Sequence, residues 1–273
     1  MIHVGGVPEH FNLPWHLGIE QGLFAQAGLD LRFHEYPTGT GAMCADLKAG
    51  KLDLIVALTE GLISDIAKDQ QIQILAPYVL SPLRWGIYVA QDSDYHQSEQ
   101  LKDQTFAISR KGSGSHLMAM LWGAQYAWPA NTMNFAEVGG LDQLESAVLS
   151  HECGAFLWEV FTTLPRVKAG SLRKIAEFPS PWPCFMIAAP AELSESQKQA
   201  YQLVLNTLYS ITQQATQNHA HTIAEISKRY HLSQAEAQDW FNNLTWAQTP
   251  KLPFQALDTC KQNLQELGLI KPS

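Results

Sequence analysis

Glu9, Glu60 and Glu159 each follow an apolar run that reads as a strand, in "VGGVPE", "LDLIVALTE" and "GAFLWE". A carboxylate at such a place can pair with an amine or accept from the N–H of a heterocycle. His10, His116, Trp85, Trp158 and Trp182 lie in or beside the same segments. Indole faces stack on planar or cationic groups. Arg110 and Lys111 could meet a carboxylate or phosphate. Two ordinary readings compete with these. Each tryptophan also fits core packing, and each glutamate a solvated loop.

Short loops rich in Gly and Thr or Ser carry the second set of candidates. "PTGTG" supplies Thr38, Gly39, Thr40 and Gly41, and "LTEG" supplies Thr59 and Glu60. "RKGSGSH" supplies Ser113, Gly114, Ser115 and His116, and "PEHFN" supplies Glu9, His10, Phe11 and Asn12. Glycines permit close backbone approach, hydroxyls can donate or accept, and the first N–H groups of a following helix stay open to a ligand. Each loop taken alone reads equally as a helix cap. The repetition of the pattern points to a shared binding site.

Other chemistry is poorly represented. Ser113 and Ser115 lack the strand-turn-helix setting of a nucleophile elbow, and "GSGSH" lacks the Gly-Lys-Ser/Thr close of a nucleotide-phosphate loop. His219 and His221 stand two apart, so on a helix they would face different sides. The four cysteines Cys44, Cys153, Cys184 and Cys260 have no zinc spacing and read as buried free thiols. We expect no catalytic residue, no metal and no cofactor.

The composition is globular, with 46% hydrophobic and 16% charged residues. A formal net charge of −8 argues against broad charge-driven contact with nucleic acid or an anionic membrane. "MIHVGGVPEHF" has no basic region followed by an apolar core and a cleavage site, so the expectation on this sequence is a cytoplasmic protein, or a periplasmic one from which a signal has been removed.

Those candidates need elements to hold them. The first eighty residues alternate strand and helix: "IHV", a helix from "LPWHL" to Gly28, "LDLRFHEY", a helix to Ala49, "LDLIVAL", a helix opened by Thr59, and "IQILAPY". Helices of this length between strands predict parallel βαβ units. The pattern restarts with "RWGIYVA", "TFAIS", a helix capped by Ser115, "NFAEV", "LDQLESAVLS", "GAFLW", "RKIAEF" and "CFMIAAP". From Ser194 onward the pattern is helical. Capping-box spacing occurs at Ser194/Gln197 and Ser233/Glu236, and Tyr201, Val204, Leu205, Leu208 and Ile211 form an apolar stripe. Pro-bearing segments "APYVLSPLRW" and "PSPWPCF" separate the halves. The expectation is an α/β chain of two lobes joined by a double hinge around a ligand cleft, with residues 1–82 and 190–273 in lobe one and 83–189 in lobe two.

"LGIEQGLFAQAGLDLRFHEYPTGTGAMCADLKAGKLDLIVALTEG" resembles the opening lobe of type II periplasmic-binding-like proteins, in the nitrate/sulfonate/taurine and thiamine-pyrimidine group. "PEHFNLP", "SPLRW", "SRKGSGS" and "SPWPCFMIAA" resemble a narrower branch that includes a fungal protein described as thiamine-related. The resemblance implies a monomeric solute-binding protein that closes around a small polar molecule, planar or amine-bearing, with a membrane permease as partner if the chain is exported. A cytoplasmic enzyme of thiamine-pyrimidine or related cofactor synthesis on the same fold is one alternative. The chain lacks the Cys-rich run of the pyrimidine synthase branch, which argues against transferring that chemistry. A ligand-gated regulatory binding protein is the other alternative.

Overall fold

The structure is a computed structural model, and residues 1–271 are described. The chain opens with β1 (Ile2–Gly6), α1 (Leu13–Glu20), α2 (Leu23–Gln26), β2 (Leu31–Glu35), α3 (Thr40–Lys48), β3 (Leu54–Leu58), α4 (Thr59–Asp69) and β4 (Ile72–Val79). A second series follows: β5 (Arg84–Ala90), β6 (Thr105–Ile108), α5 (Gly114–Gln125), β7 (Asn134–Glu137), α6 (Leu141–Leu149), β8 (Ala155–Glu159), α7 (Val160–Lys168) and β9 (Leu172–Pro179). β10 (Phe185–Pro190), α8 (Glu195–Gln217), α9 (His219–Tyr230), α10 (Gln234–Asn242) and α11 (Phe254–Glu266) complete it.

The chain forms two units. One comprises Met1–Ser81 with Trp182–Gln262, and the other Pro82–Pro181 with the chain from Asn263. Among the described residues each unit has one five-stranded sheet, ordered β2-β1-β3-β10-β4 in the first and β7-β6-β8-β5-β9 in the second.

The parallel sheets expected from the strand-helix alternation are in fact mixed. β1 runs parallel to β2 and β3, but β10 lies antiparallel between β3 and β4. In the second unit β5 is antiparallel to both β8 and β9. The physical reason is that a continuous apolar strand such as "FMIAAP" is buried on both faces whichever way it runs, so its pattern carries no direction.

In the first unit Met43 and Leu47 of α3, Leu62 of α4, and Ile55, Ala57, Ile72, Met186 and Ala188 of the sheet form one core cluster. Full burial of a Leu or Met side chain contributes roughly 1.5–3 kcal/mol. The stripe Tyr201, Val204, Leu205, Leu208 and Ile211 on α8 is buried, and both expected capping boxes are formed. In the second unit Tyr88, Leu144, Val148, Phe156 and Leu172 form the corresponding cluster. The four cysteines are buried free thiols.

Three local expectations differ from the structure, and one helix was not expected. The first helix breaks at Gly22, whose φ of 69° is left-handed and ends α1 before α2 begins. Ser113 rather than Ser115 caps α5, accepting from the His116 N–H at 3.4 Å. Thr59 is the first residue of α4 and not its cap, because its hydroxyl donates instead to the Pro183 carbonyl at 2.5 Å. "VFTTLPRVK", which no sequence pattern above assigns, is α7, with Pro165 inside it.

Candidate functional site

In the first unit, Gly6 of β1 is level with Glu35 of β2 and Val56 of β3, so three carboxyl ends meet at one edge of the sheet. β10 starts at that edge, with Phe185 opposite Leu58. The loops "PEHFN", "PTGTG" and "LTEG" and the approach "WPC" into β10 are therefore neighbours. Direct contacts join them. The Thr40 hydroxyl accepts from the Leu58 N–H at 3.2 Å. Gly61 leaves no room for a side chain there: a Cβ would stand 2.7 Å from Thr40 Cγ2. The Thr59 N–H donates to the Cys184 carbonyl at 3.0 Å. The Phe11 ring lies 5.1 Å from that of Phe185.

The "PEHFN" loop is anchored from the rest of its unit. The Phe11 carbonyl accepts from the Tyr78 hydroxyl at 2.6 Å and from Trp246 Nε1 at 3.0 Å. His10 is buried with its ring 4.5 Å from Tyr230 and 5.7 Å from Trp240. That burial pushes its pKa down to about 4, so the imidazole is neutral near pH 7. The Glu9 carbonyl accepts from the Asn12 N–H at 3.0 Å and from the Tyr230 hydroxyl at 3.4 Å. Asn12 is 1% exposed, and its amide nitrogen donates to the Val7 carbonyl at 2.7 Å. Its Oδ1 is buried with no hydrogen-bond partner.

Glu60 is the buried carboxylate of this edge. It is 3% exposed, in the first turn of α4. Oε2 accepts from Trp182 Nε1 at 2.9 Å, while Oε1 is buried with no partner. Desolvation raises its pKa to about 7, against the opposing effects of the Trp182 N–H and its own backbone N–H. Thr38 at the same edge is exposed, whereas Thr40 is buried and Gly39 and Gly41 are half-buried.

The second unit has its own loop edge. Trp85 sits opposite Glu159 in the β5–β8 register. Trp85 is 4% exposed and its Nε1 has no partner. Glu159 is engaged locally: Oε2 accepts from the Thr162 N–H at 2.6 Å and hydroxyl at 2.8 Å, capping α7. The Ser115 hydroxyl accepts from the Ser109 N–H at 3.0 Å and lies 3.0 Å from that of Ser113. Gly112 N–H donates to His116 Nδ1 at 3.1 Å, which leaves the imidazole proton on Nε2. Gly114 begins α5, and the Arg110 carbonyl accepts from the Ser113 N–H at 3.1 Å. Trp158 packs partly buried against the second unit's core cluster.

The fold of this chain superposes on solved proteins. The Candida albicans CA3427 gene product, described as exhibiting the generic periplasmic binding protein structural fold, superposes with a TM-score of 0.92. It is 24% identical, over 100% of this chain and 92% of that one. This chain has the two-lobed periplasmic-binding-protein fold. The alkanesulfonate-binding protein SsuA from Xanthomonas axonopodis pv. citri, bound to MOPS, shares that fold with a TM-score of 0.81 and 15% identity, over 99% of this chain and 94% of that one. The periplasmic aliphatic sulphonate binding protein SsuA from Escherichia coli gives 0.73 and 17%, over 99% and 88%. The Ca3427-like PBP family matches residues 85–178, within the second unit. No curated protein matches the sequence.

Within this binding-protein fold, the sequence candidates divide by unit. Glu9, His10, Phe11, Asn12, Thr38, Gly39, Thr40, Gly41, Thr59, Glu60 and Trp182 belong to the first, and Trp85, Arg110, Ser113, Gly114, Ser115, His116, Trp158 and Glu159 to the second. Sequence reasoning missed Tyr78, Tyr230 and Trp246, which anchor "PEHFN", and Cys260, which lies close enough for Glu60 to raise its thiol pKa. The last three lie late in the chain, Tyr230 and Cys260 on helices and Trp246 in an isolated bridge to Val79, and no local signal ties any of them to the loop edge.

Proposed function

We propose that this chain is a solute-binding protein and that the loop edge of its first unit holds part of a small polar molecule. The observation that carries this reading is the convergence of four loops on one sheet edge with Asn12, Thr40, Thr59 and Glu60 all buried there. Ligands of open α/β sheets sit beyond the carboxyl ends of strands, where loops lead into helices. Solved proteins of the same fold described as sulfonate-binding support the reading, as does one from Staphylococcus aureus described as a ligand-binding component of an ABC-type import system. On the same grounds a membrane permease is the partner we propose. Among the described residues no helix is long and apolar enough to cross a membrane.

Native mass spectrometry of the protein, purified without denaturation, tests the proposal. A small molecule retained at one per chain, and lost on unfolding, is the expected result. A chain that retains nothing and shows no thermal stabilisation with a broad panel of polar metabolites refutes it.

An enzyme on the same fold is the second reading, favoured by one observation. Burial holds the Glu60 carboxyl at about 7, where a general acid or base works best. Conversion of the retained molecule during incubation, abolished by Glu60→Gln, would establish it.

A further inference from the structure

His3 of β1 and His34 of β2 lie on one face of the first unit's sheet. His34 stands opposite Gly5, which has no side chain to intervene, and its Nε2 is 2.8 Å from His3 Nδ1. The ring centres are 5.1 Å apart, with the planes tilted by 31°. The centres are farther apart than the nitrogens by the centre-to-nitrogen radius of each ring, so the rings meet end to end in an in-line N–H···N bond. Both residues are half-buried.

Such a bond holds one proton between two nitrogens. The neutral pair carries that proton and one more, on the far nitrogen of the accepting ring. An added proton enters on the far nitrogen of the donating ring and makes the bridge charge-assisted. A second added proton has only the bridging nitrogen of the accepting ring left. Two N–H groups then oppose each other between two positive rings. Surrounding charges are of the same sign or engaged elsewhere. Burial first, then His3 and Arg32, lower the pKa of His34 from its ordinary value. The Asp53 carboxylate accepts from the His3 N–H at 2.7 Å and the Tyr201 hydroxyl at 3.4 Å. Asp46 accepts from the Tyr36 hydroxyl at 2.7 Å and Lys51 Nζ at 2.9 Å. The Met1 ammonium is 3.8 Å from Asp30, and Glu35, on the opposite face, is 3.9 Å from His16.

β2 is an edge strand and pairs with β1 alone. β1 runs on toward "PEHFN" and β2 toward "PTGTG". We propose that the His3–His34 bridge is a proton-operated clasp on the β1–β2 seam, which keeps its bond through one added proton and opens with a second, freeing the edge strand and the two loops that follow. The clasp stands on the geometry of the two rings. Its consequence, release of solute in acid, rests on the solute-binding reading.

Long-range proton–nitrogen NMR of the full chain, labelled at histidine and titrated from pH 8 to pH 4, tests it without any ligand. The rings of His3 and His34 should titrate together in two steps more than about one pH unit apart. In His3→Gln and in His34→Gln the remaining ring should titrate in a single step. Amide hydrogen exchange, corrected for the intrinsic effect of pH, reads the seam. The amides of residues 31–35 and of Gly39 should exchange about ten-fold faster or more below the second step than above it. His34→Gln, in which the second charge cannot form, should show no such change. Titration of both rings in one common step overturns the proposal, and so does exchange that is the same on both sides of the second step; the wild type decides both even if a variant fails to fold. A chain that retains no solute overturns the binding reading and leaves these outcomes as they stand.

Discussion

Glu60→Gln also has a consequence without any ligand. The carboxyl titrates at 4.5 in its ordinary state and at about 7 in the folded chain. Between those values the folded protein keeps a proton that the unfolded chain has released, so stability falls as pH rises, and the loss is complete above the folded value. Each pH unit between the two values corresponds to about 1.4 kcal/mol, which sets the full loss at about 3.5 kcal/mol and the part falling between pH 5 and pH 8 at about 2.5 kcal/mol. Glutamine does not titrate. The stability of Glu60→Gln relative to wild type should therefore rise by about 2.5 kcal/mol from pH 5 to pH 8, a relative gain in melting temperature of roughly 5–10 °C at the 2–4 °C per kcal/mol usual for larger domains. Ligand-free thermal melts followed by circular dichroism at pH 5, 6, 7 and 8, at constant ionic strength, measure it. Taking the difference between the two proteins cancels every other titrating group. A difference that stays constant across this range would refute the idea that Glu60 is buried and destabilised by its charge.

His10 has the opposite sign. Burial lowers it from 6.5 to about 4, so its contribution is present above 6.5 and is lost as pH falls through 4, again about 3.5 kcal/mol in full; His10→Gln should flatten the acid limb of the wild-type stability profile, and an unchanged limb would count against a buried neutral imidazole. Glu159→Ala removes the α7 cap and should cost about 1 kcal/mol in chemical denaturation with ligand affinity kept, whereas a loss of affinity without a loss of stability would place Glu159 in the site. Gly61→Ala forces a Cβ onto Thr40 and should lower the melting temperature by an amount matching about 1–3 kcal/mol; wild-type stability would mean that the two loops part easily. Leu47→Ala in the α3–sheet core should cost about 2–5 kcal/mol, checked by urea unfolding, and a cost below 1 kcal/mol would contradict its complete packing.

Much of the edge could be read from the residues because its signals are local. "LDLIVAL" is apolar end to end, so β3 and the loop after it follow from a few adjacent side chains. The capping boxes at Ser194 and Ser233 are three-residue patterns and formed as read. What the sequence hides is set by distant partners. Thr59 looks like a cap until the Pro183 carbonyl, far along the chain, takes its hydroxyl. Glu60 and Glu159 end similar apolar runs, yet one carboxylate meets Trp182 from a remote segment and the other caps the helix that follows it. Their difference lies in which backbone or indole N–H lies in reach, and no pattern within either run records that. α7 was hidden by Pro165, which ordinarily stops a helix, though its first turns are bound by Glu159 and Thr163.

The placement of β10 bears on how the chain is made. The central position between β3 and β4 is filled by a strand that leaves the ribosome about a hundred residues after β4 does. Until then β3 and β4 each present an unpaired edge, Leu54–Leu58 and Ile72–Val79, both largely apolar. The sheet of Pro82–Pro181 draws all its strands from one continuous stretch and can close first. Domains generally fold as units during synthesis, N-terminal ones first, and this connectivity reverses that order. The nascent first unit is thus the segment in most need of a chaperone. A circular permutant opened within the second unit's surface turns, which would bring β10 ahead of β3, should shorten that exposure and refold with less aggregation than the natural order.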